Sequence, residues 1–278
     1  MKWILDETMS DPYFGGKMKQ CLENMGRDVV IADFCPILGI KNKSEINSDE
    51  RYIAYGSLQL MTELQKNYHN VATFGPGSKY FYNYYSSLLP ADKFITGDSM
   101  MITVAYLLDN TKRSFLKEIY SKKVFIRPNT GYKLFSGQTI DLDDERAINT
   151  LFNNSGFSLS TLIVISSAVD ILEEYRFFVS AKQGVLSSSS YSAFERGNER
   201  EGAPKSAKLV AEEAMNYLAP DIDQILVIDV GLVNYDDMHE RMAVIEVNCA
   251  SSSGLYMCDP EPIILEMERI IEVEDNIE

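Results

Sequence analysis

The sequence predicts an α/β fold that opens with a small parallel sheet flanked by helices and continues into a larger α+β part. Over the first third, short apolar runs alternate with segments of helical spacing, the pattern of strands joined by helical crossovers. Further along, apolar runs come in pairs across short polar turns, as antiparallel hairpins do. The chain has 278 residues, 45% of them hydrophobic, enough for a sizeable core and for about two domains or one large one.

In order, residues 3–5 read as a strand and 14–25 as a helix, with Gly26 where a C-terminal cap belongs. Residues 29–34 form a second strand, stopped by Pro36. Residues 52–55 form a third, and Gly56-Ser57 turns into a helix over 58–68. Residues 71–74 form a fourth, broken by Gly75-Pro76-Gly77. In the aromatic run 80–85, a helical stripe of Phe81, Tyr84, Tyr85 and Leu88 reads as core or interface packing rather than a stacking platform. Helices over 99–108 and 112–120 lead into a strand ending at Arg127. Residues 141–152 read as a helix, 162–165 as a strand and Ser166-Ser167 as a hinge. A hairpin joins 175–181 to 185–191 across Lys182-Gln183-Gly184. Residues 194–203 read as a mobile loop, and Pro204 opens a helix over 205–217. Strands 225–230 and 242–247 flank a polar turn at 234–240. There is no internal repeat.

Composition excludes several classes. The net charge of −15 argues against broad binding to nucleic acid or an anionic membrane, although a local basic cleft remains compatible with it. Much of the acid, including Glu266, Glu268, Glu272, Glu274, Asp275 and Glu278 in the tail, reads as solvated surface. No apolar run approaches the roughly 18 residues of a membrane span, and charge follows the N-terminus too soon for a signal peptide. Cys21, Cys35, Cys249 and Cys258 form no CxxC pair, so a reducing cytoplasm is the expected setting. With only His69 and His239, no HExxH pair exists. Gly15-Gly16-Lys17 and the stretch 75–79 both fail as Walker A loops.

The most informative stretch is AVIEVNCASSSGLY, residues 243–256. Glu246 and Asn248 are two apart on an apolar strand, so their oxygens project from one face. Such hard ligands suit Mg²⁺, which takes one or two carboxylates together with substrate phosphates; two exposed polar residues at a strand end fit equally well. Asp229, in QILVIDVGLV, comes opposite them if the two runs form an antiparallel hairpin. Arg127 and Lys133 flank a Pro-Asn-Thr-Gly turn in KKVFIRPNTGYKLFSG and read as phosphate ligands or as surface cations. Glu174 and Arg176 share a face in LEEYRFFVSAKQGV, compatible also with a cross-strand salt bridge.

Taken together and in order, FIRP…YK.FSG, E.R.FV, D and IE.N..SSGLY resemble the ATP-grasp superfamily over nearly half the chain. The nearest pattern is the clade in which arginine replaces the first phosphate-binding lysine and the second lysine is kept. Its members are frequent in phage genomes, which would place the protein in a host cytoplasm. The resemblance implies an α+β ATP-grasp fold. A pre-ATP-grasp-like domain would span residues 1–95. The ATP-grasp domain would span 96–278, its subdomains 96–166 and 167–278 sandwiching ATP.

By the same resemblance, Arg127 and Lys133 meet the phosphates, and the backbone around Val164, Ile165 and Ser166 meets adenine. Asp229, Glu246 and Asn248 hold Mg²⁺. Arg176 is aimed at the transferred phosphoryl group or the acid substrate, and Glu174 orients it or reaches the ribose. Ser252 and Ser253 meet the substrate carboxylate, although a simple turn is an equal reading there. Lids are expected at 129–137 and 194–202. The implied activity is an ATP- and Mg²⁺-dependent carboxylate–amine ligase, forming an amide or peptide bond through an acyl phosphate. Its partners would be small-molecule or peptide acids and amines. A non-catalytic nucleotide-binding protein and an ATP-grasp kinase are the alternatives.

Overall fold

The computed structural model describes residues 1–7, 16–132, 134–153, 158–191, 199–236 and 239–275. The first elements are β1 (Lys2–Asp6), α1 (Lys17–Asn24), β2 (Asp28–Ala32), β3 (Phe34–Cys35), β4 (Gly39–Ile40), β5 (Tyr52–Tyr55), α2 (Leu58–Asn67) and β6 (Val71–Ala72). A parallel sheet of order β2-β1-β5-β6 results. Its strands are short and apolar, as expected of strands covered on both faces. Gly26 takes φ +70° after α1, a conformation cheap only for glycine, and Ser57 caps α2 by accepting from the Leu60 amide.

The second strand stops at Ala32, because Phe34 and Cys35 pair with Ile40 and Gly39 in a separate hairpin. The aromatic helix α3 (Tyr82–Leu88) starts at Tyr82, so its inward stripe is Tyr82, Tyr85 and Leu89, while Phe81, Tyr84 and Leu88 are only half-buried. Hydrogen bonds from the Tyr82 hydroxyl to Thr96 and Ser99 fix that rotation.

A second sheet follows, built from β7 (Met100–Thr103), β8 (Lys123–Pro128), β9 (Gln138–Asp141) and β10 (Leu162–Ser167), with α4 (Val104–Leu108), α5 (Asn110–Tyr120) and α6 (Glu145–Asn153) against it. Its order is β7-β10-β8-β9, all antiparallel. Residues 100–103 are therefore strand where a helix over 99–108 was expected. A short apolar run does not distinguish the two by periodicity; pairing with β10 decides it, and Thr103 then caps α4. Asp141 ends β9 rather than opening a helix. Ser166 and Ser167 continue β10, paired with Phe125 and Val124, rather than forming a hinge.

The third sheet is the largest: β11 (Asp170–Ser180), β12 (Gly184–Tyr191), β13 (Arg200–Glu201), β14 (Ile225–Asp236) and β15 (His239–Cys249), with α7 (Lys205–Leu218) and α8 (Pro260–Asp275). Its order is β13-β12-β11-β14-β15. The expected hairpins are present, but β14 and β15 extend through most of the polar stretch 234–240. Arg200 and Glu201 pair with β12, so that end of the expected loop is strand; residues 194–198 lie outside the described ones.

Tyr175, Phe177, Ile228, Val230 and Val244 pack on α7 through one face of this sheet. Phe178, Ile225 and Val227 on the other face join Trp3, Leu5, Ile53 and Tyr55 of the parallel sheet and Ile263, Ile264 and Met267 of α8 in one buried cluster. The acidic tail is thus not all solvated surface. Glu266 and Glu268 are buried, Glu266 by Arg269, Ser180 and Gln183, and Glu268 by Arg27 and Trp3. Among the described residues no helix is long and apolar enough to cross a membrane.

Candidate active site

Beyond α8, the same face of the large sheet is open, and its charged residues stand in one row. Arg176 on β11 is in register with Asp229 on β14, and Asp229 with Glu246 on β15. The predicted opposition of Asp229 and Glu246 is therefore met. Arg176 Nε and Nη2 donate to the two Asp229 carboxylate oxygens at 2.8 and 2.7 Å, and Nη1 donates to the Gly254 carbonyl at 3.1 Å. Arg176 is bound across the sheet to Asp229 rather than to Glu174, its neighbour along the strand. Asn248 Nδ2 donates to Asp229 at 3.1 Å and to Glu246 at 2.8 Å.

A bulge explains how an apolar strand presents these groups. The register between β14 and β15 slips between Asp229 and Val230, so that Asp229 faces Glu246 while Val230 faces Val244, leaving Ile245 as the extra residue. Bulges re-aim side chains in this way. Val244 and Val247 both reach the core beneath α7, and Glu246 and Asn248 both turn to the open face. The Ile245 carbonyl accepts from Arg127 Nη1 at 3.1 Å, and Arg127 Nη2 donates to Glu246 at 3.0 Å. Arg127 Nε is buried without a partner, as is the Thr130 hydroxyl, both in a cleft of about 320 Å³ between the second sheet and the third.

Tyr191 and Tyr256 stack in that cleft, ring centroids 4.6 Å apart and 8° from parallel, with the Arg176 guanidinium 5.5 and 4.8 Å from the two centroids. Tyr256 holds φ +50°, a strained value for a residue with a side chain. Lys17 donates to its carbonyl at 3.0 Å. Neither tyrosine was assigned a role from sequence. Tyr256 closes the quoted SSGLY run, so its position was visible there, but nothing local announces a ring in the turn after β15 stacked on Tyr191 at the end of β12.

Burial pushes the Glu174 carboxyl up to about 7, against a hydrogen bond with Tyr191 that lowers it. Burial also raises Asp229, opposed by Arg176, while Arg176 itself stays cationic, raised by Asp229 against its own burial. Arg127 is likewise held protonated against burial, by Tyr85 and Glu246.

Not every predicted residue reaches the cleft. Val164 and Ile165 are buried on β10 and do not line it. The Ser166 hydroxyl donates to the Ser167 carbonyl, and the Ser167 amide donates to Asp98. Lys133 lies outside the described residues. The turn after β15 is pinned by the N-terminal sheet: the Gly56 amide donates to the Ser251 carbonyl at 2.8 Å, the Phe74 amide to the Ser251 hydroxyl at 2.9 Å, and the Tyr55 hydroxyl to the Ser253 carbonyl. The Ser253 hydroxyl donates to the Cys249 carbonyl, whereas the Ser252 hydroxyl is buried and unpartnered.

Among the described residues no group of three or more His, Cys, Asp or Glu side chains could enclose a metal ion. Two adjacent carboxylates and a carboxamide instead offer an incomplete set of hard oxygens, which fits Mg²⁺ completed by phosphate and water. That fit requires the Asn248 amide to present its oxygen, a half-turn of the group.

The family described as ATP-grasp domain, R2K clade family 2, matches residues 109–265, more than half of the chain. No curated protein matches. Among solved structures, a D-cycloserine synthetase aligns with TM-score 0.62 at 8% identity, covering 90% of this chain and 92% of that one. A D-alanine–D-alanine ligase from Bacillus anthracis complexed with ATP aligns with TM-score 0.58 at 14% identity, covering 90% and 86%. An N5-carboxyaminoimidazole synthetase from Staphylococcus aureus complexed with ADP aligns with TM-score 0.56 at 13% identity, covering 89% and 69%. At these identities the likeness is one of fold.

Proposed function

Because the chain belongs to the ATP-grasp family, R2K clade family 2, we propose that it is an ATP- and Mg²⁺-dependent carboxylate–amine ligase working through an acyl phosphate. The observation that carries the reading is the row Arg176–Asp229–Glu246 facing Arg127, whose Nε is buried and unpartnered. A fixed guanidinium with an unused donor is a ready ligand for a phosphate oxygen.

In this reading Arg127, in place of the family's usual first lysine, and Lys133 bind the phosphates of ATP. The backbone at Val164, Ile165 and Ser166 meets adenine after the second sheet shifts toward the third, and Glu174 reaches the ribose. Asp229, Glu246 and Asn248 hold Mg²⁺, which when bound supplies charge neutralisation to the phosphates. Residues 1–95 serve as the accessory domain, and 96–166 and 167–278 as the two halves around the nucleotide. A phage source and a cytoplasmic setting belong to the same reading.

A substrate carboxylate oxygen attacks the γ-phosphorus, the bond to the bridging oxygen breaks and ADP leaves. Arg176 neutralises the charge that gathers as the two anions meet. An amine nitrogen then attacks the acyl carbon, loses a proton, and phosphate departs as the amide forms. Arg127 and the Tyr191–Tyr256 stack, with the loop beyond β8, shield the acyl phosphate from water. Hydroxylamine in place of the amine tests this: a hydroxamate formed with ADP from a panel of carboxylic acids supports it. ADP release without hydroxamate, with a phosphorylated alcohol or amine as product, points to a kinase instead.

A further inference from the structure

Among the described residues, only Ser121 and Tyr256 combine a side chain with a positive φ. Such a conformation is unfavourable and persists only where the surroundings enforce it. At Tyr256 the peptide group that follows is held at both ends. Lys17 Nζ, from the first residue of α1, donates to the Tyr256 carbonyl at 3.0 Å, and the Met257 amide donates to Ser189 Oγ on β12 at 3.2 Å. Lys17 also donates to the Met257 Sδ at 3.2 Å. A bond from an ammonium is charge-assisted and stronger than a neutral one, so the lysine is the stronger end of this clamp. It lies 239 residues away in the chain and ends the Gly-Gly-Lys run that fails as a Walker A loop.

The clamp acts on the stack and, through it, on Arg176. Residues 187, 189 and 191 of β12 share one face, and each meets this turn. Ser187 Oγ accepts from the Asp259 amide at 2.7 Å, Ser189 takes the Met257 amide, and Tyr191 stacks on Tyr256. The same turn reaches Arg176 twice: the Gly254 carbonyl accepts from Nη1, and the Tyr256 ring lies against the guanidinium. Asp229 fixes Nε and Nη2; the turn fixes the third nitrogen and the plane of the group. With the peptide after it released, Tyr256 would relax toward a negative φ, and its ring would leave both Tyr191 and Arg176.

We propose, on the ligase reading above, that Lys17 is a positioning residue for that reaction: by holding the Tyr256–Met257 peptide it keeps the Tyr191–Tyr256 stack against Arg176 and the guanidinium aimed into the cleft. Lys17 is not among the described residues that line the cleft; it acts through Tyr256. The N-terminal region thereby sets the geometry of a group on the large sheet.

The test is a double-mutant cycle of Lys17→Met and Tyr256→Gly in the full-length protein, read by hydroxamate formation and by the Arg176 Nε–H resonance. Methionine keeps most of the stem and removes the ammonium, and glycine adopts the positive φ freely while removing the ring. Lys17→Met should lower kcat roughly tenfold and leave the KM for ATP within about twofold, as displacement of a group used mainly in the transition state does. Tyr256→Gly should show the same fall, and the double variant no further one, because the two residues act as a unit. Ser189→Ala, which frees the weaker end of the same peptide, should lower kcat in the same direction by less. The Arg176 resonance, identified by its loss in Arg176→Lys, should shift in Lys17→Met and in Tyr256→Gly as the ring leaves the guanidinium. Additive losses in the double variant, or a lower melting temperature in Lys17→Met with normal kcat and an unmoved resonance, would overturn the assignment. If the wild type forms no hydroxamate with any acid while the resonance shifts as expected, the ligase reading fails and the clamp on Arg176 stands. If the wild type forms hydroxamate and neither kcat nor the resonance responds to Lys17→Met, the clamp fails and the ligase reading stands.

Discussion

Arg176–Asp229 at the open end of the large sheet and Arg269–Glu266 beneath α8 are both bidentate pairs built around a carboxylate that is at most 1% exposed. Both belong to the same face, since Ser180 of β11 also bonds Glu266. Under α8 the carboxylate has four donors from three residues: Ser180, Gln183 and the two nitrogens of Arg269. Burial opposes its charge, yet these donors hold it below the usual carboxylate range. At the open end burial prevails and Asp229 is raised, with Arg127 Nε and the Thr130 hydroxyl left unbonded nearby. A closed network of charges fixes a helix to a sheet; an open one keeps capacity for a ligand. The difference lies in what covers the face, not in the residue types.

The sharpest way to break this comparison is to remove one acid from each end. Glu266→Ala should lower stability by about 2 to 4 kcal/mol, because it strands Arg269, Gln183 and Ser180 around a gap, and leave turnover of the folded fraction near normal. Glu246→Ala should cost less, about 1 to 2 kcal/mol, since Val244 and Val247 hold its strand and Arg127 keeps the Ile245 carbonyl as a partner. It should cut ADP release roughly 100-fold or more. Urea titration and an ADP assay on both variants decide it, and loss of stability in Glu246→Ala with normal turnover would reverse the assignment.

Arg176→Lys sharpens the comparison, because this guanidinium serves both the network and the cleft. A lysine keeps the charge but not the fork. Stability should fall by about 1 to 3 kcal/mol as Asp229 and the Gly254 carbonyl lose donors. Turnover should fall roughly 100-fold with ATP affinity little changed, as expected of contacts made mainly in the transition state. Full turnover in a destabilised variant would make Arg176 purely structural.

A smaller effect concerns the ion. Arg176 occupies both oxygens of Asp229, while Arg127 and Asn248 bond Glu246. Mg²⁺ alone should therefore shift the melting temperature by less than about 1 °C. ATP with Mg²⁺ at about 100 times its Kd should raise it by roughly 5 to 10 °C, because the phosphates give the arginines another anion. Equal shifts with and without nucleotide would show that the carboxylates are not held by the arginines.

An effect confined to one pH range comes from Glu174. Glu174 sits at about 7, above its unfolded value of about 4.3, so the folded state binds the extra proton between those two values. Stability is fully present below the lower value and declines as pH rises to about 7. Glu174→Gln should thus raise the melting temperature at pH 8, by the equivalent of roughly 1 to 3 kcal/mol, and have little effect near pH 4. A gain independent of pH would remove Glu174 from that titration.

Much of the row was legible because strand spacing of two fixes a common face, and the order of Arg127, Glu174, Arg176, Asp229, Glu246 and Asn248 along the chain matches a known pattern. What the spacing hid is tertiary. Whether Arg176 pairs along its strand or across it depends on the register of β11 with β14. The Ile245 bulge follows from how β15 meets β14, and the same strand residues are apolar with or without it. The tail acids read as surface because Arg27 and Ser180, their partners, lie 241 and 86 residues away in the chain. Residues 100–103 read as helix because four apolar and β-branched residues carry no period of their own until β10 pairs with them.

Titration of ATP into the wild-type protein and into Glu246→Ala, each with saturating Mg²⁺, tests the central claim most directly, because it asks whether the open end of the sheet is the nucleotide–metal site. The wild type should bind one ATP per chain, and the variant should bind it at least roughly tenfold more weakly, with the wild-type advantage vanishing when Mg²⁺ is chelated. Equal affinities in the two proteins with Mg²⁺ present, or no ATP binding by the wild type, would contradict it.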